Sequence, residues 1–259
     1  MLLRAWEYYD RVAEKYDSMY DNPRWHLYHE LLQCFLKEHL KEPCKILDLG
    51  GGTGRWSLFF QNRRFDVVMV DPSEKMLKVA KEKGVKNVIK ARAESLPFPS
   101  ESFDGVLALG DVLSYVENRD KAFSEVRRVL KPKGVLVAMV DNFYTFLQQI
   151  VETNGWNWIH RFVSTQTIEI GDVAFSFRSY AFKPEDFEAL EGFDMVDIRG
   201  IGVFNYTETQ IEKNRDIIIE LEKKFSKDEH ILWKAEHIFF VLRKKEEPLG
   251  PSTGGCGRD

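Results

Sequence analysis

The sequence predicts a doubly wound α/β fold on a mostly parallel, seven-stranded sheet, and three observations carry that expectation. Apolar runs of strand length alternate with stretches of helical periodicity from residue 44 to residue 140, the pattern of a parallel sheet covered by helices. Cys44-Lys-Ile-Leu-Asp-Leu-Gly-Gly-Gly-Thr-Gly-Arg55 joins one such run to one such helix through a glycine-rich turn. Asp71 and Leu109-Gly110-Asp111 each close a strand, where ligands of such sheets bind.

Taken in order, residues 1–22 place Trp6, Tyr9, Val12, Ala13, Tyr16 and Tyr20 at helix-compatible spacing, and Pro23 interrupts them. A second amphipathic helix, with Leu27, Leu31, Leu32, Phe35, Leu36 and Leu40 on one stripe, runs to Pro43 and is expected to pack on the sheet. Strands are predicted at 46–49, 65–71, 85–91, 103–109 and 135–140, with helices from 56, over 72–83 and over 121–131. The last of these helices puts Ala122, Phe123, Val126, Val129 and Leu130 on one face and is closed by Pro132 and Gly134.

Between 141 and 183 the alternation stops. Phe143, Tyr144, Phe146, Trp156, Trp158 and Phe162 crowd together, then Val173, Phe175, Phe177 and Ser179 alternate as a strand outside the main sheet. This stretch is read as a cap inserted after the fifth strand, at about 142–183. Pro184 opens a short helix to 190, and 195–204 reads as the sixth strand. Thr207 and Gln210 form a capping box for a charged helix with Ile211, Ile218, Leu221 and Phe225 inward, and 237–243 is the last strand. The expected organisation is an N-terminal helical segment (1–43), one domain (44–245) and a tail (246–259) that has nothing to bury and is expected to be mobile.

Composition excludes several classes. Lys and Arg number 37 against 41 Asp and Glu, so no global basic field points to nucleic acid. Lys75, Lys78, Lys81, Lys83, Lys86, Lys90 and Arg92 concentrate positive charge locally, but Glu74 and Glu82 dilute it, as on a solvated helix face. Cys34, Cys44 and Cys256 lie far apart with no metal-ligand spacing, which argues against structural zinc and a disulfide framework, and no metal is expected. The opening Met1-Leu-Leu-Arg is charged too soon for a signal peptide, and no apolar run approaches the roughly 18 residues a membrane span needs. A soluble cytoplasmic protein is expected, with a homodimer left open.

The glycine turn can let backbone approach a ligand and take positive φ, and amides opening the next helix favour an anionic group; the bland alternative is a tight turn with no ligand. A dinucleotide fingerprint requires Gly-x-Gly-x-x-Gly, whereas Gly50, Gly52 and Gly54 give Gly-x-Gly-x-Gly followed by the bulky Arg55, which disfavours a nicotinamide-dependent oxidoreductase. Asp71 could accept two hydrogen bonds from a ribose diol.

With Asp48 two residues before Gly50, Asp48-Leu-Gly-Gly-Gly-Thr-Gly54 resembles the first motif of class I S-adenosylmethionine-dependent methyltransferases. Glu94-Ser-Leu-Pro-Phe-Pro-Ser-Glu-Ser-Phe-Asp104, Arg128-Val-Leu-Lys-Pro-Lys-Gly134 and Tyr9-Asp-Arg-Val-Ala-Glu-Lys-Tyr-Asp17 look like the ubiquinone/menaquinone biosynthesis methyltransferase group. The resemblance implies a Rossmann-like methyltransferase fold and S-adenosylmethionine as cofactor, with S-adenosylhomocysteine as product. It places the amino-acid end of the cofactor over Gly50, Gly51, Gly52 and Gly54 and at Leu109, Gly110 and Asp111, the ribose on Asp71, and the adenine under Pro72 to Met76 beside Ala93 and Glu94. Arg92 departs from the Asp of similar proteins, and would stack or face solvent. Tyr16 and Tyr20, with Tyr9, are either the buried face of a helix or a lid over the cofactor.

The expected reaction is methyl transfer to O or C of a small acceptor. The Phe143 to Phe177 aromatics hint at an apolar or aromatic one, or simply form the core of the cap. No catalytic residue is assigned: transfer needs positioning above all, and His160 or Asp111 could serve as a base, although a lone histidine among aromatics suits a structural role. A cofactor-binding domain that acts through a partner without turnover is the other class left open.

Overall fold

Lys45–Leu49 is an interior strand of the sheet because both of its faces are covered. Leu47 and Leu49 point into one apolar cluster and Ile46 into another, the two-residue period of a strand buried on both sides. A computed structural model describes residues 1–40 and 42–246. The predicted mobility of the tail falls, beyond Glu246, outside the described residues, as does Cys256.

The chain opens with β1 (Leu2–Leu3), α1 (Ala5–Val12), α2 (Tyr16–Met19) and α3 (Pro23–His39). β2 (Lys45–Leu49), α4 (Arg55–Gln61), β3 (Asp66–Asp71), α5 (Glu74–Glu82), β4 (Val88–Lys90) and β5 (Phe103–Ala108) form the first half of the sheet. Then come α6 (Val112–Tyr115), α7 (Arg119–Val129) and β6 (Leu130–Asp141). The insertion holds α8 (Phe143–Glu152), α9 (Trp156–Thr165), β7 (Thr167–Gly171) and β8 (Ser176–Tyr180). The chain returns through α10 (Pro184–Glu188), β9 (Phe193–Ile201), α11 (Glu208–Phe225) and β10 (His237–Lys244).

The main sheet has seven strands in the order β4-β3-β2-β5-β6-β10-β9, with β10 antiparallel to both of its neighbours. Strand order reverses between β2 and β5, which opens a crevice at the carboxyl ends of β2, β3 and β5. Leu27, Leu31 and Leu32 of α3 pack with Ile211 and Ile218 of α11 on one face; Ala122, Phe123 and Val126 of α7 cover the other. A second sheet, β1-β8-β7, pairs the N-terminus with the insertion, Leu2 opposite Ser176 and Leu3 opposite Phe177.

Several boundaries differ from the sequence reading, each for a local reason. Residues 1–22 are not one helix but β1 and two short helices. Pro23 is the first residue of α3, capped by Asn22, whose Oδ1 accepts from the Trp25 amide at 3.0 Å. The helix expected over 72–83 begins at Glu74 because Ser73 caps it. Val173 and Phe175 are not in a strand: Asp172 Oδ1 accepts from the amides of Ala174 and Phe175 and turns the chain there, so β8 begins at Ser176. The sixth strand ends at Ile201 because the buried Glu222 carboxylate captures the amides of Gly202, Val203 and Phe204. The run resembling the quinone-pathway enzymes, 94–104, is a loop pinned by Arg128, which donates to the carbonyls of Leu96 and Phe98.

Candidate functional site

The crevice at the strand tips holds two joined clefts. The first is lined by Gly50, Gly52, Asp71, Pro72, Met76, Ala93, Glu94, Leu109 and Gly110, with Tyr16 above them. The second adds Tyr20, Gly51 and Asp111 and shares Tyr16, Gly50, Gly52, Leu109 and Gly110 with the first.

Asp71 ends β3 with its carboxylate turned to the glycine turn. Oδ2 accepts from the Gly52 amide at 3.0 Å and Oδ1 from the Ser73 amide at 2.8 Å, which fixes the group while leaving lone pairs free. It is 7% exposed, and burial pushes its pKa up to about 6. Gly52 has φ +57°, and a Cβ there would meet nothing nearer than Tyr16 at 3.9 Å, so its open side faces the cleft.

Three candidate residues do not line the clefts. Asp48 is 1% exposed and accepts from Ser57 Oγ of α4 at 2.6 Å, so it ties the turn to that helix. Gly54 has φ +85° and lies against Val85 and Ala80, so it permits helix packing. His160 is exposed on α9 and lines neither cleft. Phe143, Phe146 and Phe162 form a core of the insertion's own, Phe143 stacked on Phe162 at 4.8 Å, and Trp156 and Trp158 stay outside, but Phe177 packs on Tyr9 at 5.3 Å and Tyr115 at 5.1 Å in the wall of the clefts.

Arg92 neither stacks nor faces solvent alone. It pairs with Glu117 at 2.8 Å and Glu94 at 3.4 Å, and Glu94 Oε1 also accepts from the Glu117 amide at 2.9 Å. This network closes the Pro72 end of the first cleft, and Arg4 joins it through Glu117 at 3.2 Å.

The N-terminal segment lies over both clefts and is tied down at each end. Asp10 accepts from Ser73 Oγ at 2.8 Å and the Lys75 amide at 3.0 Å. Asp17 accepts from Thr53 Oγ1 at 2.7 Å and Lys83 Nζ at 2.8 Å. Between these ties runs a row of rings: Tyr9 to Tyr16 at 5.8 Å, Tyr16 to Tyr20 at 4.8 Å, Tyr20 to Trp25 at 4.8 Å and Trp25 to His237 at 5.6 Å. Burial raises the phenol pKa of Tyr9 and Tyr16 well above the ordinary value and that of Tyr20 to about 12, so these hydroxyls stay protonated.

The sequence reading missed His237 altogether. Its Nδ1 lies 3.0 Å from Asp111 Oδ1 and 3.7 Å from Asp141 Oδ1, and Asp141 accepts from Ser179. Burial opposes charge on the ring, but Asp111, the hydrogen bond to it and Asp141 outweigh burial and lift the pKa to about 9. Burial, and then the charge of Asp111, push Asp141 up to about 7. The signal was in the topology: β10 is antiparallel, so its first residue, not its last, reaches the ligand edge. Two groups of acids with a histidine are paired internally: His237 with Asp111 in one, and in the other Arg199 with Glu38 and Asp197, and Lys227 and His39 with Asp197.

Comparison with known proteins fits this geometry. A family model described as a methyltransferase domain matches residues 47–138. The ubiquinone/menaquinone biosynthesis C-methyltransferase UbiE of Shewanella pealeana is 36% identical over 140 residues, 49% of this chain and 55% of that protein. The crystal structure of an S-adenosylmethionine-dependent methyltransferase from Methanosarcina mazei superimposes with a TM-score of 0.61 at 20% identity, covering 82% of this chain and 98% of the other. Residues 47–138 are a methyltransferase domain by the family match, and the chain has the fold of S-adenosylmethionine-dependent methyltransferases. An uncharacterized protein of Methanocaldococcus jannaschii, MJ1252, extends the likeness beyond that core: 31% identity over 208 residues, 77% of this chain and 80% of that protein. The chain spans little more than half the length of UbiE. Among the described residues no helix is long and apolar enough to cross a membrane.

Proposed function

We propose that this methyltransferase binds S-adenosylmethionine along the strand tips and transfers its methyl group to O or C of a small apolar or aromatic acceptor. The observation that carries the reading is Asp71, a buried carboxylate held by two backbone amides beside a glycine turn whose open side faces the first cleft. Such a carboxylate suits a ribose diol, Gly50 to Gly52 with Leu109 and Gly110 suit the amino-acid end, and Pro72, Met76, Ala93 and Glu94 suit the base. When bound, the cofactor supplies the electrophilic methyl group; the chain's own contribution is to orient and to exclude water. Tyr9, Tyr16 and Tyr20, held over the clefts by Asp10 and Asp17, suit that second task as a lid. Support for an aromatic acceptor comes from the second cleft, walled by Tyr9, Tyr20, Trp25 and Tyr115, rather than from the insertion.

A thermal-shift comparison tests the reading, since a ligand that binds only the native state raises its melting temperature. S-adenosylhomocysteine is expected to stabilise the protein and NADH is not. Stabilisation by NADH alone overturns the reading in favour of an oxidoreductase. Stabilisation by S-adenosylhomocysteine with no methyl transfer to any member of a broad acceptor panel leaves a binding domain that acts through a partner.

A further inference from the structure

The second cleft ends on a histidine held by a carboxylate. His237 opens β10 opposite Asp141 and is walled by Trp25 and Tyr28 of α3. Its Nδ1 is taken by Asp111 at 3.0 Å. Nε2 has no hydrogen-bond partner among the described residues, yet it is not sealed away, and His237 lines the cleft together with Tyr9, Tyr20, Trp25, Tyr115 and Met139. A polar atom in a cleft walled by aromatic rings can orient a polar atom of its ligand.

We propose that His237, positioned by Asp111, pairs through Nε2 with a hydroxyl oxygen of the methyl acceptor, which makes the acceptor an ionisable hydroxyl compound of the phenol or enol type, methylated at that oxygen. This rests on the methyltransferase reading above. With its pKa lifted to about 9, the ring carries a proton on both nitrogens at neutral pH, so Nε2–H donates to the acceptor oxygen and stabilises its anion. The acceptor's O–H bond breaks, its electron pair stays on oxygen and its proton goes to solvent. The oxyanion's pair forms the O–CH3 bond while the S–CH3 bond breaks and sulfur keeps its pair, leaving a neutral thioether. The charged or titratable groups that face the ring are Asp111, Asp141, Glu236, Tyr20 and Tyr28. The phenols stay protonated, and burial lowers the other histidine of the cleft, His29, to about 4, so His29 is neutral and offers an oxyanion no charge.

The probe is 4-nitrophenol, whose anion alone is yellow, added to protein saturated with S-adenosylhomocysteine. Bound beside the His237–Asp111 pair, its apparent pKa is expected to fall by about 1–3 units. His237→Gln abolishes that shift while calorimetry still finds S-adenosylhomocysteine bound, and His29→Phe retains it. Asp111→Asn returns the His237 ring toward an ordinary histidine titration by NMR, an effect that a merely structural contact would not produce. An unshifted probe pKa in the wild-type protein, an equal shift in His237→Gln, or a shift that requires added divalent cation each overturns the proposal. If His237→Gln does not fold, the wild-type His237 Cε1 resonance decides: it moves on adding the probe, or the proposal fails. Absence of S-adenosylhomocysteine binding to the wild-type protein is a different result and removes the methyltransferase reading itself.

Discussion

Replacing Asp71 with Asn separates what this carboxylate costs the fold from what it does for a ligand. Its pKa stands at about 6 against an ordinary 3.8, and burial is the main cause. A rise of about two units means that keeping the group charged at neutral pH costs the folded state roughly 3 kcal/mol. Asn removes that cost but must turn its NH2 toward either the Gly52 or the Ser73 amide, leaving one buried donor unpaired at about 1–3 kcal/mol. The two effects nearly cancel, so Asp71→Asn is expected to change unfolding free energy by less than about 2 kcal/mol in urea. Binding has no such compensation. Loss of one charge-assisted bond to a ribose hydroxyl costs about 1.5–3 kcal/mol, or roughly 10- to 150-fold in the Kd of S-adenosylhomocysteine by calorimetry. A variant that binds as tightly as the wild type refutes the ribose assignment. One that unfolds refutes the balance just worked out.

Three further outcomes are expected. Gly54→Ala, strained at φ +85° and driven into Val85, should lose about 2–5 kcal/mol of stability, whereas Gly52→Ala, with open space before it, should lose about 1–2 kcal/mol and instead weaken S-adenosylhomocysteine binding; equal effects in urea melts and calorimetry would contradict the division. His237 binds its proton more tightly folded than unfolded, about 9 against 6.5, so its contribution is fully present below pH 6.5 and is lost as pH rises through about 9, up to about 3 kcal/mol. Thermal melts should fall across that window, and Asp111→Asn should flatten the fall. Asp17→Ala frees Thr53 and Lys83, so trypsin should cut within residues 1–22 faster than in the wild type, where S-adenosylhomocysteine slows cleavage; identical digestion rates would exclude a lid.

Features set by local pattern were legible in the sequence. A buried parallel strand must be an apolar run, so the strands beginning at Lys45, Asp66 and Phe103 announce themselves, and the Thr207–Gln210 capping box forms as expected. The glycine turn and Asp71 follow from residue type at a strand end. What stayed hidden depends on partners far along the chain. Leu2 and Leu3 become a strand only because Ser176 and Phe177 offer an edge. Asp48 looks like a ligand residue until Ser57 takes it, and Arg92 looks free until Glu117 does. Trp25, Tyr115 and His237 meet from three elements, and nothing within any one of them marks the cleft they share.

The central claim is that a nucleoside carrying an amino acid lies along the strand tips, with its sugar on Asp71. Amide NMR titration with S-adenosylhomocysteine tests this most directly. The Gly50, Gly52, Ser73 and Ala93 amides are expected to shift together while that of Gly84, in the turn after α5, stays still. Saturation that leaves the Gly52 and Ser73 amides unmoved would contradict the claim.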